Sequence, residues 1–226
     1  MSDTPPEGIR QHRFIPPSGA TTLLLVRHGE SQPEHPDRPF PRVDGHGDPL
    51  LDPIGEKQAE LLADRLQHES IDAIYVTTLT RTHQTAAPLA ARLGLTPIVE
   101  PDLREVFLGE WEGSFRRRAV ANDPVFLQIF TEERWDVIPG AEPNDAFDER
   151  VWNALQRIAA AHRDERVVVV SHGGVIGHLL HRVTSSRRFA FSGPDNASIS
   201  EVVASPERIL LRRYNDVAHL LPLLTS

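Results

Sequence analysis

The chain contains no cysteine, so disulfides, thiolate nucleophiles and Cys-type zinc sites are excluded, and chemistry falls to His, carboxylates, hydroxyls or Arg. Long apolar runs are absent too. Leu23-Leu24-Leu25-Val26 and Val167-Val168-Val169-Val170 fall far short of the roughly 20 residues that a membrane-crossing helix needs. Positive charge is in deficit: 24 basic residues stand against 32 acidic ones, a formal net charge of −8. That balance argues against nucleic acid or an anionic membrane as partner. Lysine is nearly missing, since Lys57 is the one Lys among those basic residues. An arginine excess spread over the whole chain reads as compositional bias, so each arginine carries meaning through its position. The opening residues Met1-Ser2-Asp3-Thr4-Pro5-Pro6 lack the basic start and apolar stretch of a secretory signal, which gives a cytoplasmic expectation.

What is present fits one generous globular domain: 226 residues, 39% hydrophobic and 25% charged. Ten of the 19 prolines fall in residues 1–53, so residues 1–20 are expected to form a flexible N-terminal arm and residues 21–226 the domain. Apolar runs then predict strands at Thr21–Val26, Ile71–Val76, Pro97–Glu100, Val167–Val170 and Ile199–Ala204. Between them lie stripes at helical spacing. One runs through Ala59, Leu62, Ala63 and Leu66 after Asp52-Pro53, and another through Ala86, Leu89, Ala90 and Leu93, closed by Gly94. Two more run through Phe147, Val151, Leu155, Ile158 and Ala159, and through Val175, Ile176, Leu179, Leu180 and Val183. This alternation predicts an α/β three-layer sandwich, a mostly parallel central sheet flanked by helices. The quadruple valine suits a strand buried on both faces. Residues 104–140 break the rhythm and read as an inserted cap.

In such a sheet ligands bind beyond the carboxyl ends of the strands. Two predicted strands end alike there, one in Arg27-His28-Gly29-Glu30 and the other in Ser171-His172-Gly173-Gly174. Each puts an imidazole beside glycine, which lets backbone approach a ligand closely. Either histidine alone reads as an ordinary core or surface residue; the pair, with Arg27 beside one of them, does not. Arg81 falls near the first turn of a predicted helix, where N–H groups and a guanidinium suit an anion. Glu105 opens the loop Glu105-Val106-Phe107-Leu108-Gly109-Glu110-Trp111-Glu112-Gly113. A carboxylate there is a candidate general acid, and Glu110 and Glu112 compete for the role.

These pieces, in this order, resemble the phosphatase branch of the histidine phosphatase superfamily (phosphoglycerate mutase-like) over roughly residues 21–220. Arg27-His28-Gly29-Glu30 matches its signature, Arg81 with Gln84-Thr85 its second arginine, Glu105 its proton donor and His172 its second histidine. Supporting matches are Asp48-Pro49-Leu50, Gly55, Gln58-Ala59, Pro139-Gly140-Ala141-Glu142 before Arg150, Asn196-Ala197-Ser198-Ile199, and Asn215 through Leu220. The resemblance implies a metal-independent phosphomonoesterase without cofactor, acting on a small phosphorylated metabolite through phosphohistidine at His28. Arg27, Arg81, His172 and Gly173 would line the phosphate, and a homodimer stays open. The alternatives are mutase-type phosphoryl transfer and a non-catalytic phosphate-binding module. No catalytic residue is missing, which disfavours the second, and the mutase stretch Asn-x-Phe-Thr-Gly-Trp is replaced by Pro41-Arg42-Val43-Asp44-Gly45-His46.

Glu34 stands where many members carry an Asn that touches phosphate, and a carboxylate would repel it. Either the proline loop takes another path or another residue supplies the contact. Asp44 stands where Gln is common. His178 and His181 read as helix residues beside the pocket rather than metal ligands. Arg116-Arg117-Arg118 reads as a solvated helix start, with the steering of anionic substrates by the cap as the alternative, and Phe126, Phe130 and Trp135 as cap packing.

Overall fold

The computed structural model describes residues 11–224. The first half of the chain forms β1 (Thr21–Arg27), a short hairpin of β2 (Arg42–Val43) and β3 (His46–Gly47), α1 (Pro53–Leu66), β4 (Ala73–Val76), α2 (Thr80–Leu93) and β5 (Ile98–Val99). It continues through α3 (Phe115–Val120), α4 (Pro124–Glu132), α5 (Asn144–Ala161), β6 (Arg166–Ser171), α6 (Gly173–Thr184), β7 (Ile199–Ala204), β8 (Ile209–Asp216) and α7 (Leu221–Leu224). Of the expected N-terminal arm, residues 1–10 lie outside the described residues; residues 11–20 carry no helix or strand.

Six strands form one sheet in the order β5-β4-β6-β1-β7-β8. The first four are parallel, while β7 runs antiparallel to β1 and β8 antiparallel to β7. Side chains alternate across a strand, and here both sets are apolar. Leu23, Leu25, Val167 and Val169 pack with Phe147 and Leu155 of α5 and Ile176 and Leu180 of α6. Leu24, Val26, Val168 and Val170 pack on the other face with Leu62 and Leu66 of α1 and Ala86 and Leu89 of α2. Each such side chain contributes about 1.5–3 kcal/mol by leaving water, which makes this doubly covered sheet the rigid part of the molecule.

The helix ends follow the local chemistry. The Asp52 carboxylate accepts from Gly55 N at 2.8 Å, capping α1 with Pro53 in the first position. Gly94 closes α2 at φ 67°, in the left-handed region. Gly55 also lies against the turn after His28: a Cβ on it would meet the Glu30 carbonyl oxygen at 2.0 Å.

One strand departs from the sequence reading, and the segment read as an inserted cap takes a definite form. β8 was not among the expected strands, because Arg212-Arg213 interrupts its alternation and it is a half-exposed edge. Residues 109–132 fold into a 3-10 turn, α3 and α4 around their own small core of Trp111, Ile129 and Ile138. Among the described residues no helix is long and apolar enough to cross a membrane.

Candidate active site

Strands β1 and β6 are neighbours, with Arg27 in register with Ser171, so the next residues, His28 and His172, emerge together at the carboxyl edge of the sheet. Their ring centroids are 5.3 Å apart and both side chains are buried. His28 Nδ1–H donates to its neighbour's carbonyl, Gly29 O, at 2.7 Å. That bond leaves the lone pair on Nε2. The turn itself is tied down from behind, since Asn196 Nδ2 donates to His28 O at 2.9 Å and Gly29 N donates to Thr85 Oγ1 at 2.9 Å. Burial, then the charges of Arg81 and Arg27, hold the His28 pKa well below 6.5, so the ring is neutral at ordinary pH.

His172 stands just before α6 without capping it through its side chain, and its tautomer follows from a closed set of bonds. Thr82 Oγ1 donates to Leu79 O at 2.8 Å, which leaves it free to accept from Thr77 Oγ1 at 3.2 Å. Thr77 Oγ1 in turn accepts from Leu79 N at 3.2 Å and from His172 Nε2–H at 3.1 Å. His172 Nδ1 is then the acceptor for Arg81 Nη2 at 3.3 Å. Burial and the Arg81 charge push the His172 pKa well below 6.5 as well.

Arg81 is the second residue of α2, where the sequence placed it. Its Nη1 donates to Gly47 O at 3.2 Å and lies 3.7 Å from Asp48 Oδ1. Asp48 also receives Thr80 N at 2.8 Å and Thr80 Oγ1 at 2.6 Å, capping α2 and setting the arginine at once. Arg27 Nη1 donates to Pro194 O at 2.5 Å. Burial lowers the pKa of both guanidiniums below the usual arginine value, yet both stay charged.

Glu105 reaches the same place from the loop after β5. Its Oε2 accepts from Gly174 N at 3.1 Å and its Oε1 from Val106 N at 3.0 Å. A Cβ on Gly174 would meet Oε1 at 2.4 Å, so glycine is required for the carboxylate to dock. Arg150 of α5 gathers the loop by donating to the carbonyls of Asp102, Arg104 and Glu105 at 2.7, 2.9 and 3.0 Å, while paired with Glu142 at 2.6 Å. The rival carboxylates are held differently, although Glu112 also lines the cavity that His28 lines. Glu112 accepts from Gly47 N at 2.7 Å and Leu108 N at 2.9 Å, and Glu110 is exposed.

Arg27, His28, Arg81 and Glu105 line one cavity of about 140 Å³, joined by His46, Ser31 and Arg116. His172 does not line it and stands behind Arg81; Gly173 lines an adjoining cavity. Sequence reasoning offered the run at Arg116 only as a steering charge on the cap and did not place Arg116 in the cavity itself. Glu34 also lines this cavity, but both its oxygens are engaged in capping α3, accepting from Arg116 N at 3.0 Å and Arg117 N at 3.1 Å. That places Arg116 at the cavity, its Nη2 donating to Ser31 Oγ at 3.4 Å. Glu34 is thus reconciled with an anion site, and the arginine run is only partly a solvated helix start. Position in a charge run gave no signal for this. His178 donates from Nδ1 to Gly174 O at 3.2 Å and meets the Phe147 ring edge to face, and His181 Nδ1 meets Ser186 O at 2.5 Å. No cluster of three or more metal-ligating side chains forms among the described residues.

An imidazole with a free lone pair, set among guanidiniums and a carboxylate at the carboxyl edge of an α/β sheet, belongs to an enzyme of the phosphoric monoester hydrolase class. The chain is a member of the histidine phosphatase superfamily (branch 1), whose sequence profile matches residues 23–217. It is 39% identical over 170 residues to the phosphoglycerate mutase-like protein 4 of Arabidopsis thaliana, covering 74% of this chain and 72% of that one. A metal-independent phosphoserine phosphatase of the same plant is 32% identical over 207 residues, 90% of this chain and 84% of its own. Among solved structures, a mycobacterial glucosyl-3-phosphoglycerate phosphatase superposes with a TM-score of 0.72 at 26% identity, covering 87% of this chain and 99% of that one.

Proposed function

We propose that the protein hydrolyses small phosphate monoesters in the cytoplasm with His28 as nucleophile, and the observation that carries this is the Nδ1–H bond to Gly29 O. With that nitrogen committed, His28 Nε2 attacks phosphorus in line while the bond to the leaving oxygen breaks. Arg27 and Arg81 hold the equatorial oxygens, His172 acts from behind by accepting from Arg81 and so setting its guanidinium, and Arg116 adds charge at the rim. Glu105 gives its proton to the departing oxygen. As a carboxylate it then takes a proton from water, and that water displaces the phosphoryl group from Nε2 as inorganic phosphate. The relatives named for phosphoserine and glucosyl-3-phosphoglycerate support phosphatase chemistry. The short hairpin β2–β3 occupies the region of the mutase stretch, which favours water over a second alcohol as acceptor.

A rapid quench during turnover of a radiolabelled phosphate ester tests the assignment. Acid-labile, base-stable label should appear on the wild type in excess EDTA and be missing from His28→Ala. Label on another residue, or near-normal turnover by the variant, would overturn it.

A further inference from the structure

A second cavity of about 280 Å³ adjoins the phosphate cradle. Its wall is Leu108, Phe115, Phe130 and Trp135, and across from them lies the backbone of Gly174 and Gly193. Arg27, Glu105, Val106, Leu108 and Phe115 line both cavities, whereas His28 lines the first alone and Phe130 and Trp135 the second alone. In an in-line displacement the leaving oxygen stands opposite the nucleophile, and here it must also reach the carboxyl group that protonates it. A leaving group placed in the second cavity meets both conditions, because it lies on the Glu105 side and away from His28.

The chemistry of the wall says what kind of alcohol fits. The charged side chains at this cavity, Arg27 and Glu105, are those the phosphoryl transfer uses; the remainder is aromatic, aliphatic or glycine, with Ser192 at the edge. An ammonium on the leaving group would lose its water there with no acceptor side chain beyond Glu105 and Ser192, and a carboxylate would find only the buried, unpartnered N–H groups of Trp135 and Arg27. An apolar group gains by burial and by ring contacts with Phe115, Phe130 and Trp135. A dry apolar cavity of about 150 Å³ takes one benzene, so this one holds a two-ring group. Phe130 is 45% exposed, a large apolar side chain left open at the mouth.

We propose that this cavity is the leaving-group subsite and that the preferred substrates are phosphate esters of aromatic or otherwise apolar alcohols. The proposal rests on the assignment of His28 and Glu105 given above. Three alkyl esters of similar leaving-group acidity separate binding from intrinsic reactivity: 2-(1-naphthyl)ethyl phosphate, ethyl phosphate and phosphoserine. The naphthyl ester should show kcat/KM at least about tenfold above either of the others. Phe130→Ala, which opens the wall, and Ser192→Phe, which fills the cavity from an exposed loop, should each lower the ratio of naphthylethyl to ethyl phosphate by about tenfold. Phosphoserine or ethyl phosphate hydrolysed as well as the naphthyl ester overturns the subsite while leaving the phosphatase reading intact. A ratio unmoved by Ser192→Phe does the same. Failure of the wild type on all three esters overturns the reading itself and the subsite with it.

Discussion

Thr77 fixes which nitrogen of His172 carries the proton, through the bonds from Leu79 N and to Thr82 Oγ1. Thr77→Val keeps the shape and removes the acceptor, stranding a buried N–H at a cost of about 1–3 kcal/mol. The expected result is a fall in kcat of about tenfold or more, with Thr77→Ser restoring it. Nitrogen NMR shifts of His172 should show the two tautomers mixing in Thr77→Val; an unmixed spectrum would remove Thr77 from the role. Glu105→Gln should slow esters of poor alkyl leaving groups by roughly 10² to 10⁴. Aryl esters need little protonation to depart, so with p-nitrophenyl phosphate the same variant should release a burst of nitrophenol and then stall as phosphohistidine. Equal slowing of both ester types without a burst would point to another acid. Both histidines were legible in the sequence, since each follows an apolar run and precedes glycine. Thr77, Arg150 and Arg116 were not, because their parts depend on partners 95, 45 and 85 residues away, a separation that periodicity does not encode.

Helix α3 is held at its start by Glu34, and an element of six residues gains little from its own propagation. Glu34→Ala should therefore fray α3, cost about 0.5–2 kcal/mol of stability and let Arg116 drift from the cavity. Calorimetric titration with inorganic phosphate checks this: affinity should fall severalfold, and an unchanged affinity would show that Arg116 contributes nothing to the cradle. The buried elements were the readable ones. β6 announces itself through four valines, α1 through an Asp-Pro start and α2 through a closing glycine. β8 is covered on one side, and two arginines break its period. The helices of residues 109–132 surround a core of three buried side chains, too few to impose a stripe on the sequence, so the segment read as an inserted cap without resolved helices.

The molecule as a whole keeps several imidazoles in the dark. His28, His172 and His178 are all pushed below 6.5 by burial, His178 to about 4. Unfolding returns them to their ordinary value, so below about pH 6.5 the unfolded chain binds protons that the native one does not, and stability falls as pH drops. For His178 the window runs from 6.5 down to about 4, with a slope on the order of 1.4 kcal/mol per pH unit. Asp148, 3.6 Å from His178 Nε2, has its carboxyl pushed upward by burial and opposes this over its own range. Thermal melts between pH 7 and 4.5 should show a steep decline in Tm, made shallower in His178→Gln; parallel curves would assign the protons elsewhere. The register of Arg27 with Ser171 reaches further still. It makes the hydrogen-bond ladder between β1 and β6 a ruler for the gap between the two imidazoles, so that spacing is inherited with the backbone and survives rewriting of almost any loop. The wall of the proposed leaving-group subsite is carried elsewhere, by Phe115, Phe130 and Trp135 at the small outer core of residues 109–138. Descendants of this chain can thus change diet without relearning chemistry.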